Sequence, residues 1–223
     1  DEETDYISIH SGSRYLGQAI CNYHQDRIKT NINYNKNDFL NNYLTNNECV
    51  EYLIDMIFAQ EFASHNRKVM LIIILQELNI LYKEENSIET IHNYIDFKRL
   101  ILRKGAISAE NDELCIISLN MKDGIFICKG KGNEEWNYSC AHGCGRIMSR
   151  KEAIQTFHLK EYKELMKDVY SSCINKETLD EIPSAYKNIE LIKNSIGNSV
   201  QIIKQLKPLI NIKGYYTFAH LKR

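Results

Sequence analysis

Between Thr45 and Leu78 apolar residues recur every three or four positions, and this stretch limits the fold more than any other feature of the sequence. Val50, Leu53, Ile54, Ile57, Phe58 and Phe62 form a stripe at helical spacing, which predicts a long amphipathic helix. Thr45 and Glu48 have the separation of a capping box, which predicts where that helix starts. The densest apolar run is Val69 to Leu75, far short of the ~20 residues that cross a bilayer. The opening Asp1-Glu2-Glu3-Thr4-Asp5 does not read as a secretory leader. The expectation is therefore a soluble, cytoplasmic chain with no membrane contact.

Elsewhere the periodicity changes. A short strand over Asp5 to Ile9 and a helix from about Leu16 to Ile28 are expected. Strands are expected at Ile91–Phe97, Leu100–Arg103, Glu113–Ser118 and Gly124–Lys129, the last two joined by a tight reversal ending in Asp123-Gly124. Helical segments from Ser149 to about Cys173 and a β-like run from Val200 to Lys213 follow. Strands and helices do not alternate regularly, so the fold class is α+β. With only Pro183 and Pro208 and no Gly/Ser linker, a single domain over 1–223 is expected.

Net charge bears on partners. At −1, with a sequence pI near 6.7, there is no global basic field of the kind that coats nucleic acid, although a local cationic pocket is compatible with that balance. Seven cysteines without any C-x-x-C make neither a disulfide framework nor a zinc ribbon. Reduced thiols are expected, with Cys115 and Cys128 serving as small apolar residues within strands.

Ser139-Cys140-Ala141-His142-Gly143-Cys144-Gly145-Arg146 has the densest chemistry. Glycines after a histidine let backbone approach a ligand, and exposed N–H groups with Arg146 suit phosphate. An imidazole nitrogen there could attack phosphorus and carry the group as a phosphoramidate. A glycine-rich turn around a structural histidine is the alternative. Strand alternation would put His10 on a face with Tyr6 and Ser8, and His92 on one with Tyr94 and Asp96. Each could be a metal ligand or a hydrogen-bonded structural residue. Arg103-Lys104-Gly105-Ala106 and Lys129-Gly130-Lys131-Gly132-Asn133 could contact phosphate; for the second, a solvated hairpin turn is the simpler reading. Asn66-Arg67-Lys68 reads as a solvent-facing cluster, and His24, His65, His158 and His220 receive no role.

Six of these segments together resemble one family. His10-Ser11-Gly12-Ser13-Arg14 with Leu16-Gly17, His92-Asn93, Arg103 to Ala106, and His142 to Arg146 with Met148-Ser149-Arg150 look like RtcB RNA ligases, in that family's order. Asp180-Glu181-Ile182-Pro183 with Ala185-Tyr186-Lys187, then Leu206-Lys207-Pro208 and Ile212-Lys213-Gly214, extend the likeness to the tail. The resemblance implies a GTP- and Mn²⁺-dependent ligase that joins an RNA 3′-phosphate or 2′,3′-cyclic phosphate to a 5′-hydroxyl, in RNA repair or tRNA splicing. It implies that His142 is the catalytic residue, taking guanylate onto its ring, and that His10 and His92 are metal ligands. It assigns nucleotide contacts to Asn93, Ser118, Leu119, Asn120, Met121, Gly143, Cys144, Gly145, Tyr186 and Lys213. Arg14 and Arg146 are RNA-phosphate positions on the same basis.

The chain departs from the family in places. The upstream aspartate–cysteine metal motif has no counterpart, so the chain is expected to be the C-terminal two thirds of an RtcB-like domain without its N-terminal third. The missing ligands would come from a further segment or a partner chain. Leu119-Asn120-Met121-Lys122-Asp123 replaces a glycine-rich loop, Ile125 stands for a serine and Cys144 for an alanine, as in a divergent branch. Nine residues follow Gly214, where many members stop. The alternative functions are a metal-dependent phosphoesterase on cyclic phosphate ends and a non-catalytic RNA-end-binding subunit.

Overall fold

The computed structural model describes residues 4–30, 35–37 and 42–214; the Asp1-Glu2-Glu3 opening, His220 and the extension past Gly214 lie outside them. The chain divides into two compact units, Asp1–Ser87 and Ile88–Arg223. Helices and antiparallel sheets give it a mixed α+β character, as expected.

The first unit is built on two helices, α1 (Arg14–Lys29) and α2 (Asn46–Glu77). The predicted stripe of α2 is not its buried face. Ile54 and Phe58 are exposed, whereas Ala59 and Ala63 are buried. The packed side is thus rotated by one residue, about 100° around the helix, onto the face that also carries Asp55. His24 of α1 is buried there with its Nε2 2.8 Å from Asp55 Oδ2 of α2, a structural pairing. Thr45 is the N-cap, but its side chain makes no cap bond, and the Glu48 carboxylate that would complete a capping box pairs with Arg27.

No strand forms over Asp5 to Ile9, so the alternation argued for His10, Tyr6 and Ser8 does not apply. Every strand among the described residues lies in the second unit, leaving this segment without a ladder partner in its own unit. The following turn is held from α2, where Arg67 Nη1 donates to the Ser11 carbonyl at 2.9 Å and Asn66 Nδ2 to Ser11 Oγ at 3.3 Å. The cluster read as solvent-facing therefore has a structural task. No helix among the described residues is long and apolar enough to cross a membrane.

The second unit carries three antiparallel sheets: β1 (Asn93–Asp96) with β2 (Ile101–Lys104), β3 (Ala106–Ser108) with β6 (Ser139–Ala141), and β4 (Leu114–Ser118), β5 (Ile125–Gly130) and β7 (Val200–Leu206) in the order β4-β5-β7. The β4–β5 reversal forms as predicted, with Gly124 at φ +80°, where a Cβ would lie 2.0 Å from the Leu206 carbonyl oxygen. The β-like tail stops at Leu206, two residues before Pro208, which has no N–H to continue a ladder. Helices α3 (Arg150–Thr156), α4 (Leu159–Leu165) and α5 (Ile189–Ile196) complete the unit. Strands β3 and β6 and helix α5 were not evident in the sequence pattern; β3 and β6 have three residues each, too few to show a period.

Two apolar clusters hold this unit. One gathers Ile107, Cys115, Ile117, Phe126, Cys128, Cys140, Ile192 and Ile196; the other packs Met121, Ala153, Tyr162, Met166 and Ile182. Burial raises the Cys115 and Cys128 thiols to about 12, so both act as the small apolar residues expected. The second basic glycine segment is structural: Lys129 pairs with Asp112 at 2.7 Å, and a Cβ on Gly130 would lie 2.1 Å from the Glu110 carbonyl oxygen.

Candidate active site

His142 follows β6 directly, and its ring is oriented by backbone. Its Nδ1 lies 2.6 Å from the Gly105 carbonyl oxygen. A carbonyl can only accept, so Nδ1 is the donor, and in the neutral ring the lone pair then lies on Nε2. Gly105 joins β2 to β3 at φ +66°, a conformation that favours glycine. Its own N–H lies 2.8 Å from the His92 carbonyl oxygen and 2.9 Å from Asn93 Oδ1. One peptide link therefore ties His92 and Asn93 to His142. The two imidazoles stack with ring centroids 4.5 Å apart and planes 25° from parallel. Asn93 spends its side-chain oxygen on this link, so its amide NH₂ is the half suited to a ligand.

The loop after His142 is clamped to the end of β4. Ser118 N–H donates to the His142 carbonyl at 3.1 Å, and Cys144 N–H donates to the Ser118 carbonyl at 3.0 Å. A Cβ on Gly143 would stand 2.8 Å from that Ser118 oxygen, closer than a side chain tolerates against backbone. Cys144 is buried, donates from Sγ to the Leu119 carbonyl at 3.0 Å, and has its thiol pushed up to about 11 by burial. It is inert filling rather than a reactive group. The Leu119 and Met121 side chains are also buried, leaving only their backbone for a ligand. Asn120 organises the β-turn, with Oδ1 accepting from the Lys122 and Asp123 N–H groups at 2.9 Å.

Beyond Gly145, at φ +65°, the loop pairs with the segment around Tyr186. Lys187 N–H donates to the Gly145 carbonyl and Ile147 N–H to the Ala185 carbonyl, at 3.1 and 3.0 Å. Arg146 lies over the Tyr186 ring at 4.8 Å and donates from Nη2 to the Asp180 carbonyl at 2.6 Å. Its Nη1 is buried and has no hydrogen-bond partner among the described residues. That donor, the glycine cradle and the cationic setting suit a phosphate-bearing group. Tyr186 OH donates to Glu181 Oε2 at 2.7 Å, and the Lys213 ammonium pairs with the same carboxylate. Arg150, placed by the Ser149 N-cap of α3, bridges Asp180 and Glu181.

The second unit thus brings together His92, Asn93, Ser118, Gly143, Cys144, Gly145, Arg146, His142, Tyr186 and Lys213 through one connected set of bonds. His10 and Arg14 belong to the first unit, both exposed, with Arg14 opening α1. For a metal the residues fit less well. No three His, Cys, Asp or Glu side chains among the described residues converge to hold an ion. Two imidazoles are an incomplete shell for a divalent cation.

Arg103 is a correction to the sequence reading. Rather than facing phosphate it is buried, donating to Asp96 Oδ2 at 2.7 Å, Tyr94 OH at 2.8 Å and Ser139 Oγ at 2.9 Å. It fastens the β1–β2 hairpin, beside His92, to β6, beside His142. Sequence reasoning also gave Glu181 and Arg150 no role, although both stand in segments that carried the family likeness.

The family described as tRNA-splicing ligase RtcB matches residues 1–214. The chain is 32% identical to RNA-splicing ligase RtcB1 of Escherichia coli strain ATCC 25922 and 31% identical to RNA-splicing ligase RtcB of Escherichia coli K12. Each alignment covers 96% of this chain and 57% of the relative. It is 26% identical to the tRNA-splicing ligase RtcB of Aeropyrum pernix, over 93% of this chain and 52% of that protein. The chain spans little more than half the length of these relatives, and the match runs through both of its units: it belongs to the RtcB ligase family.

Proposed function

We propose that this chain carries the nucleotide-transfer centre of an RNA ligase that seals 3′-phosphate or 2′,3′-cyclic phosphate ends to 5′-hydroxyl ends, using GTP. The observation that carries the reading is the His142 ring itself, held by its Nδ1–H on the Gly105 carbonyl so that Nε2 is the nitrogen left for attack in the neutral ring. Nε2 attacks the α-phosphorus of GTP; an N–P bond forms as the bond to pyrophosphate breaks. The Gly105 carbonyl dipole, already aimed at Nδ1–H, stabilises the positive charge that develops on the ring. An oxygen of the RNA 3′-phosphate, which a cyclic end supplies once water has opened its bond to the 2′-oxygen, then takes the guanylate and frees His142. The 5′-hydroxyl attacks the activated phosphorus, a phosphodiester forms and GMP leaves.

Asn93, the Ser118–Met121 backbone, the Gly143–Gly145 cradle, Tyr186 and Lys213 are the proposed nucleotide contacts. Arg146 and Arg14 are the proposed contacts to phosphate of the nucleotide or RNA. Mn²⁺ dependence is proposed for the whole protein from the family likeness, with His10 and His92 as two ligands and further donors from a segment or partner beyond this chain. RNA repair or tRNA splicing in the cytoplasm is the proposed setting, in keeping with seven cysteines that are all free thiols.

Incubating the intact protein with α-labelled GTP and Mn²⁺ tests the reading. The expected result is an acid-labile label on the protein that is absent from His142→Ala. Label persisting in that variant, or none in the wild-type protein, would overturn it.

A further inference from the structure

Glu181 is a carboxylate whose burial, at 9% exposure, favours the protonated form. Three donors from three separate parts of the chain reverse that preference: the Arg150 guanidinium, the Tyr186 hydroxyl and the Lys213 ammonium. Against the upward push of burial, the hydrogen bonds from Lys213 and Tyr186 bring the acid down to about 2. Two of these donors are groups that the ligase reading turns toward the nucleotide.

Both are also anchored at their backbones. Tyr186 sits opposite Arg146 in an antiparallel bridge, four residues along from His142. Lys213 N–H donates to Cys173 Sγ at 3.3 Å, so backbone and ammonium are each fixed. An unheld lysine samples many rotamers, and ordering it on binding costs affinity. A buried ion pair contributes little net stability compared with apolar packing of the same volume. A carboxylate kept at this position is accounted for by what it orients.

We propose that Glu181 is the positioning residue for the nucleotide end of the site: its carboxylate holds the Lys213 ammonium and the Tyr186 hydroxyl in place before the guanine nucleotide arrives. The proposal rests on the reading that Tyr186 and Lys213 meet the nucleotide. It predicts that Glu181 governs nucleotide affinity and leaves the chemistry at His142 Nε2 largely alone.

The test uses the intact protein with Glu181→Gln and Glu181→Asp. Two quantities are read: the extent of Lys213 acylation in a brief acetic anhydride pulse, by mass spectrometry, and the KM and maximum rate for labelling by GTP. For Glu181→Gln, Lys213 acylation should rise severalfold and the KM for GTP by ~10-fold, since a charge-assisted hydrogen bond is lost. The saturated labelling rate should change by less than about twofold, the signature of lost binding rather than lost chemistry. Glu181→Asp keeps the charge beside Arg150 and should give smaller shifts in the same direction; it carries the test alone if Glu181→Gln does not fold. Unchanged Lys213 acylation, or an unchanged KM in a variant that merely melts earlier, would overturn the proposal while the ligase reading stands. Absence of label in the wild-type protein would remove both.

Discussion

Replacing Arg103 by methionine keeps most of the side-chain volume and removes the guanidinium, which isolates what its charge contributes. The arginine side chain is 1% exposed and its partner Asp96 17%, so the carboxylate keeps only a narrow route to water. Breaking a buried pair by removing one partner costs ~3–5 kcal/mol. Partial exposure of Asp96 places the expected loss at the lower end, about 3 kcal/mol. For a chain of this size that is a drop in Tm of about 6–12 °C. Burial pushes the Asp96 carboxyl up, but Arg103 and the backbone N–H groups of Arg99 and Lys98 outweigh it and hold the acid below its ordinary value. A depressed carboxylate contributes stability above its unfolded pKa and loses it as pH falls through the folded value. Urea unfolding followed by circular dichroism should therefore show a full gap between wild type and Arg103→Met at pH 7 that narrows below about pH 4. Arg103→Lys should fall between them, because one ammonium cannot serve Asp96, Tyr94 and Ser139 together. A loss under ~1 kcal/mol at pH 7, or a gap that persists in acid, would refute the argument. So would a change of about one in the salt slope of RNA binding, the mark of a lost phosphate contact.

Gly143→Ala should reduce labelling of His142 by ~10-fold or more, because the new methyl would press on the Ser118 carbonyl and displace the loop that carries His142; single-turnover labelling rates measure it. Cys144, with its thiol raised to about 11, should resist iodoacetamide at pH 8 in the folded protein and react in urea, as peptide mass spectrometry would show. Gly124→Ala should cost at least ~2 kcal/mol in urea unfolding, since residue 124 has a positive φ and its Cβ would meet the Leu206 backbone. A wild-type-like midpoint would mean that the β4–β5 hairpin and β7 can separate there at little cost.

The elements that were legible are those whose pattern is local. The long helix was expected from Thr45 to Leu78 and spans Asn46–Glu77; the hairpin around Asp123-Gly124 formed where its turn residues place it. The candidate site could be proposed from the sequence for another reason: residues widely separated in the chain reproduce a family's motifs in order, and the structure places ten of those positions in one bonded network of the second unit. What misled is equally specific. Asp5 to Ile9 alternates like a strand, yet a strand also needs a neighbour, which its own unit does not supply. The α2 stripe was chosen by hydrophobicity, whereas the positions the fold buries are the small residues Ala59 and Ala63.

Sequence alone determined the family, and the glycine-flanked motif on which His142 is proposed as the nucleophile, because these depend on residue type and order. Only the tertiary structure decided which nitrogen of His142 donates to Gly105, that Arg103 is a buried fastener, and that Glu181 gathers Arg150, Tyr186 and Lys213. Each of those depends on partners 5 to 37 residues away along the chain brought to within hydrogen-bonding distance. A hydrogen bond's effect on a ring or a carboxylate is set by that distance and by the exclusion of water, and neither is a property of residue order.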